Sequence, residues 1–180
     1  MEIPVFTKDN ISQILRWVRS IRPQDTAMNN LNIDAIFVGG VKEVMDNRKF
    51  KINEYTLGIL FSLVESDLNG VDSRVGFSAS ITIGSLLKGW GDSEEHDKWE
   101  LADIMLSSFC GVIEKSLQEI EETGTEGRNL ATFYGPFHAL ALIGGDGLTA
   151  FAEYYHHYKL SDSHRKNLNI ILKKYGYMVG

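Results

Sequence analysis

Apolar residues recur along most of this chain at steps of three and four, the spacing that places them on one face of an α-helix. The first such run contains Ile11 and Leu15; Thr7 is placed to cap the helix, and Pro23 ends it. A second helix is predicted at Leu31–Met45, although two adjacent glycines weaken its middle. The chain before residue 52 is therefore expected to hold two helices.

The same periodicity predicts one long helix and five shorter ones in the rest of the chain. Gly135 and Pro136 break the pattern, so Pro136 is expected in the first turn of a helix. The first of the shorter helices is expected to begin after Asn53, and the second to run from Asp72 or Ser73 to near residue 89. The other three are expected at Pro136–Ile143, Leu148–Tyr158 and Ser161–Tyr175. The loop that contains Gly144, Gly145 and Gly147 has no lysine of the kind that a phosphate-binding loop requires. We interpret it as a helix end followed by a turn.

The long helix is predicted over residues 93–122 and is the best-defined element of the chain. Asp92 and Glu95 have the spacing of a capping box at its start, and Gly124 is placed to end it. The predicted core face carries Trp99, Ala102, Leu106, Phe109, Ile113 and Ile120. The opposite face carries His96, Glu100, Asp103, Glu114 and Glu121.

Signals for β-structure are weak: no alternating apolar and polar run is sustained, and no Asn-Gly hairpin lies between β-branched runs. No repeat of 33 to 47 residues keeps its register. We therefore predict a single all-α domain over residues 1–180, an irregular bundle of about seven to eight helices, with degenerate helical pairs as the alternative.

Composition excludes several classes of protein. The 180 residues are 43% apolar, enough for one hydrophobic core, and no apolar run approaches the ~20 residues that span a bilayer. Cys110 is the single cysteine, and the amino terminus lacks the features of a signal peptide. We expect a cytoplasmic protein that does not insert into a membrane.

Charge is distributed unevenly. The chain has 18 basic and 24 acidic residues, a net charge of −6, yet residues 52–126 alone carry four basic and fifteen acidic side chains. Such a segment repels nucleic acid and attracts basic proteins. We therefore expect no nucleic-acid binding here and predict a partner-binding surface at Glu100, Asp103, Glu114, Glu119, Glu121 and Glu122.

The sequence contains only incomplete sets of metal ligands. Glu153 and His156 match one Glu-x-x-His pair of a di-iron site, but no second pair exists; His157 and His164 do not complete a specified zinc set. No metal or cofactor is therefore predicted, and the histidines of the two closing helices, His156, His157 and His164, are expected at partly exposed polar edges.

Two further segments contain possible nucleophiles, but their neighbouring residues indicate a role in packing instead of catalysis. Cys110 has apolar neighbours in the middle of the long helix, which predicts a buried and unreactive thiol. Ser78, Ser80 and Ser85 lack the glycine elbow that exposes a serine nucleophile, so close helix packing is the preferred interpretation.

These observations favour a non-catalytic module that presents an acidic helical face to a basic protein. The most specific version is an immunity or antitoxin-type inhibitor of a toxic nuclease, whose active site is basic because it binds phosphates. One alternative is a small enzyme or ligand-binding protein with a pocket around Glu153, His156 and His157, or at His138. A structural subunit whose acidic face binds a second copy or a scaffold is the third hypothesis.

Overall fold

The computed structural model describes residues 52–68, 73–123, 130–158 and 160–177. Of these residues 84% are helical and none lies in a strand, which confirms the predicted all-α class for the described part of the chain. The two helices predicted before residue 52 lie outside the described residues.

Six α-helices occur in the described ranges, and a 3₁₀ helix at Trp90–Asp92 connects the second to the third. They are α1 (Glu54–Leu68), α2 (Ser73–Leu86), α3 (His96–Thr123), α4 (Leu130–Ile143), α5 (Asp146–His157) and α6 (Asp162–Lys174). Asn53 precedes α1 as predicted, and Ser161 caps α6, its hydroxyl oxygen accepting from the backbone N–H of His164 at 3.1 Å.

Helix α4 is the centre of the fold. It packs against all of the other five helices, and every residue from 133 to 141 is buried. A helix that is apolar around its whole circumference has to be covered on all sides. The side chains of Phe137 and Leu140 are inaccessible to solvent, as are Phe109 on α3 and Phe151 on α5, which pack into the same core.

The prediction that Pro136 begins a helix is wrong. Helix α4 starts at Leu130, and Pro136 lies inside it. Proline removes one backbone hydrogen bond from a helix interior and crowds the preceding turn, at a cost of about 3 kcal/mol. Burial of the whole central part of α4 outweighs that local cost.

The start of α3 also differs from the prediction. The helix begins at His96, and Asp92 lies in the preceding 3₁₀ helix. The Asp92 carboxylate instead accepts from the backbone N–H of Gly145 at 3.2 Å, and Ser93 accepts from the N–H of Glu95 at 3.2 Å. Asp92 therefore ties the start of α3 to the turn before α5, in which Gly144 and Gly145 have positive φ.

Close approach of α2 and α4 depends on glycine. A Cβ atom at Gly84 would lie 3.0 Å from the Cα of Ala139 and 2.9 Å from Cδ1 of Leu142. A Cβ atom at Gly135 would lie 3.1 Å from the Cα of Phe77. The predicted close packing of the small-residue segment is thereby confirmed, and the hydroxyl of Ser80 donates to the Gly76 carbonyl at 2.8 Å within it.

We expect Gly84→Ala to lower the free energy of unfolding by about 1–2 kcal/mol, because α2 and α4 must separate to admit the methyl group. Gly58→Ala is the matched control: a Cβ atom there meets nothing within 4 Å, so the gain in helix propensity should stabilise the protein by up to about 1 kcal/mol. Urea unfolding measures both. Equal effects of the two substitutions would contradict the packing assigned to Gly84.

Candidate functional site

All six carboxylates predicted to bind a partner lie on α3 and are exposed. Helix α3 has 28 residues and is about 42 Å long at 1.5 Å per residue. The exposed side chains are Glu100, Asp103, Glu114, Glu119, Glu121 and Glu122, hereafter the acidic face. The predicted site residues therefore share one helix, and each of them faces solvent.

The core face of α3 holds that surface in place. Ala102, Leu106, Phe109 and Ile113 are buried as predicted, and Ile120 is half-buried. Trp99 is the exception: it is 40% exposed, so its assignment to the core was wrong. The apolar spacing could not reveal this, because the core contacts of α3 begin only at Leu101 and Ala102, one turn inside the helix.

Helix α3 carries two lysines: Lys98 pairs with Glu95 at 3.3 Å, and the exposed Lys115 follows Glu114 and lies one turn before Glu119. His96 Nε2 lies 3.8 Å from Glu100, and the Gln118 amide donates to Glu122 at 3.0 Å. Among the described residues, neither Asp103 nor Glu121 forms an ion pair with a lysine or arginine. The negative charge of this helix face is therefore only partly neutralised.

Acidic residues are concentrated at the carboxyl end of α3, where negative charge destabilises the helix. Glu121 and Glu122 lie in or next to the last turn, which contains no basic residue. Because the helix dipole places partial negative charge at that end, each carboxylate there costs up to about 1 kcal/mol when exposed. Helix stability alone does not explain this placement.

Glu114 belongs to a small polar cluster where α3 meets α5. The buried Tyr154 hydroxyl donates to the Glu114 carboxylate at 3.0 Å. Burial raises the pKa of Tyr154, and its contacts with Cys110 and Glu114 raise it further. One carboxylate of the acidic face is thus held in a fixed position by a neighbouring helix.

Cys110 is half-buried, less enclosed than the sequence predicted. Burial raises the pKa of its thiol, opposed by a hydrogen bond with Tyr154 and reinforced by the charges of Glu114 and Glu153. A raised pKa keeps the sulfur protonated at neutral pH and a poor nucleophile. The electrostatics of this position favour the predicted unreactive thiol.

Two histidines are buried, and one of them, His164, contradicts the prediction of a polar-edge position. His138 is 7% exposed and His164 is 3% exposed, because α4 and α6 turn them towards the aromatic core. His164 packs against the rings of Phe133 and Tyr134, at centroid distances of 5.2 and 6.2 Å, instead of completing a site with Glu153 and His157.

His138 makes the more specific contact. Its Nδ1 lies 2.7 Å from the hydroxyl of Tyr175, and its ring packs edge-on against Phe77. Burial, followed by the charge of Lys174, lowers the pKa of His138 to about 4. The unbroken apolar run around His138, Phe-His-Ala-Leu-Ala-Leu, is the sequence signal that could have predicted this burial.

The structure does not bring the alternative site together. Glu153, His156 and His157 are exposed on α5. Within the four described ranges, no group of three or more His, Cys, Asp or Glu side chains is arranged to hold a metal ion. No helix of the described segments is long and apolar enough to cross a bilayer.

An open groove of about 420 Å³ lies elsewhere, between α1 and α3. Phe61 and Glu65 line it from α1, and Ser107, Gly111 and Lys115 are among its residues on α3. No sequence pattern pointed to it. Its lining contains none of the histidines considered as catalytic candidates.

Comparison of the chain with protein-family models, with curated proteins and with solved structures finds no match. The assignment of function therefore depends on the residues described above.

Proposed function

We propose that this chain is a non-catalytic binding protein that docks the acidic face of α3 onto a basic protein. The observation that supports the proposal is the exposure of all six carboxylates on one helix. Electrostatic complementarity between such a face and a basic surface speeds encounter and excludes wrong partners. Carboxylates that are unfavourable at the end of an isolated helix become favourable once a partner supplies cations.

The most specific partner is a toxic nuclease, with this chain acting as its immunity or antitoxin-type inhibitor. A nuclease active site carries cations that bind phosphates, so a row of carboxylates can occupy it in place of the nucleic acid. The proposal includes a cytoplasmic location and a single domain over residues 1–180, in which the two helices predicted before residue 52 complete a bundle of about eight.

Isolation of the full chain with its partner from the native host tests the proposal. At about 0.1 M salt we expect a basic protein to be retained, and at about 1 M, where the Debye length is ~3 Å, we expect it to be released. The isolated partner should lose nuclease activity when the chain is added back. Retention of a small molecule or metal with no basic protein would contradict the proposal.

A further inference from the structure

Helix α6 exposes a face of the opposite charge to α3. Lys166, Ile170 and Lys173 follow one another at steps of four and three on α6, and all three side chains are exposed. Asp162 begins the helix one turn before Lys166, and Tyr177 lies beyond its end, after Gly176 with positive φ. Ile170 is 56% exposed, although most large apolar residues of the described segments are covered. We call Lys166, Ile170 and Lys173 the α6 stripe; it extends over about 10 Å at 1.5 Å per residue.

The cations of the α6 stripe are not used within the described part of the chain. Arg165, next to the stripe, donates to the backbone carbonyls of Tyr155 and Tyr158 and so anchors α6 to α5. Lys166 and Lys173 form no ion pair with any described carboxylate. Their charges, with Ile170 between them, face solvent.

The first three turns of α3 present the complementary surface. His96, Trp99, Glu100, Asp103 and Ser107 are exposed on successive turns, and we call them the α3 stripe. Trp99 is 40% exposed, and its ring stacks on that of His96 at a centroid distance of 6.1 Å. Each stripe therefore combines a large, exposed apolar side chain with charged neighbours, which are lysines on α6 and carboxylates on α3.

We propose that the α3 stripe of one copy of this chain binds the α6 stripe of a second copy. Trp99 would then cover Ile170, while the carboxylates of Glu100 and Asp103, which both follow Trp99 along α3, face one of the two lysines. Tryptophan at the centre of a contact that excludes water is the kind of residue that dominates binding energy. Glu100 and Asp103 belong to both surfaces, whereas the carboxylates from Glu114 to Glu122 lie outside the contact; binding of a second copy goes beyond the partner binding proposed above.

The contact joins two different surfaces, so it is heterologous: each copy keeps one unused α3 stripe and one unused α6 stripe unless a ring closes. Oligomers larger than a dimer should therefore form as the protein concentration rises. At about 0.1 M salt the screening length of ~10 Å is shorter than α3 itself, so local complementarity outweighs repulsion between two chains of net charge −6.

Sedimentation velocity of the full chain tests the proposal. We expect the average mass of the wild type to rise with concentration up to about 0.5 mM at about 0.1 M salt, and to fall at about 1 M salt. Ile170→Glu breaks the α6 stripe and Trp99→Ala breaks the α3 stripe, so each variant alone should be monomeric. An equimolar mixture should form a one-to-one dimer, because it restores a single intact contact.

Tyr158→Ala is the matched control, since Tyr158 is 42% exposed but belongs to neither stripe; it should associate like the wild type. His96→Lys, which places a cation in the α3 stripe without changing the acidic face, replaces Trp99→Ala if the latter loses its helical circular dichroism. A wild type that stays monomeric would overturn the proposal, and so would a mixture that fails to pair. Either result leaves the test with the basic partner unaffected, because these variants retain Glu114, Glu119, Glu121 and Glu122.

Discussion

Acidification from pH 7 to pH 4 should lower the free energy of unfolding by about 3 kcal/mol through His138 alone. The folded chain holds the pKa of this side chain at about 4, against 6.5 for the ordinary histidine of the unfolded chain. Between these values the unfolded state binds the extra proton and the folded state does not, so stability falls as pH falls. Protonation in place would put a charge beside Phe77 and near Lys174.

Urea unfolding at pH 7, 5.5 and 4 measures this effect. His138→Gln removes the titrating group, so its stability should fall less steeply with acidification than that of the wild type. His157→Gln is the control, because His157 is exposed on α5. Carboxylates contribute to all three proteins, so only the difference in slope is informative. Identical slopes for the wild type and His138→Gln would show that the imidazole is not buried in its neutral form.

The second large effect is expected on binding. Substitution of Glu114, Glu119, Glu121 and Glu122 by Lys should slow association with the basic partner about tenfold or more at 0.1 M salt. The fold should survive, because relief of repulsion and of the unfavourable helix-end charges offsets the lost Tyr154–Glu114 hydrogen bond, worth about 2 kcal/mol with its charged acceptor. Stopped-flow association and urea unfolding measure the two expectations.

A control with the same change in net charge separates the site from the total charge. Glu54, Glu65, Asp146 and Asp162 are exposed on other helices, and their substitution by Lys also changes the charge by eight units. We expect a much smaller effect on association from this variant. An equal loss in both variants would mean that overall charge, not the acidic face, controls binding.

Helix positions after residue 52 could be predicted because the apolar spacing records which face each helix buries. The core stripe of α3 from Ala102 to Ile113 was correct for this reason. Pro136 was misplaced because local propensity says nothing about burial from all sides, and α4 is buried on all sides. Asp92 was misassigned because its hydrogen-bond partner, Gly145, lies 53 residues away in sequence.

The candidate site could be predicted only in part. Exposure of the acidic face follows from the helical period, since carboxylates opposite a core stripe must face solvent. The contact between Tyr154 and Glu114, the burial of His138 and the exposed Trp99 all depend on which helices become neighbours. The helical period of one segment carries no information about that choice.

The dependence of association rate on ionic strength tests the central claim most directly. The wild type and the variant with Glu114, Glu119, Glu121 and Glu122 replaced by Lys should be mixed with the basic partner between about 0.1 and 1 M salt, where the screening length shortens from ~10 to ~3 Å. The rate constant of the wild type should fall steeply and approach that of the variant, whose rate changes little or rises. Coincident rates at 0.1 M, or a wild-type rate that does not respond to salt, would contradict binding through the acidic face.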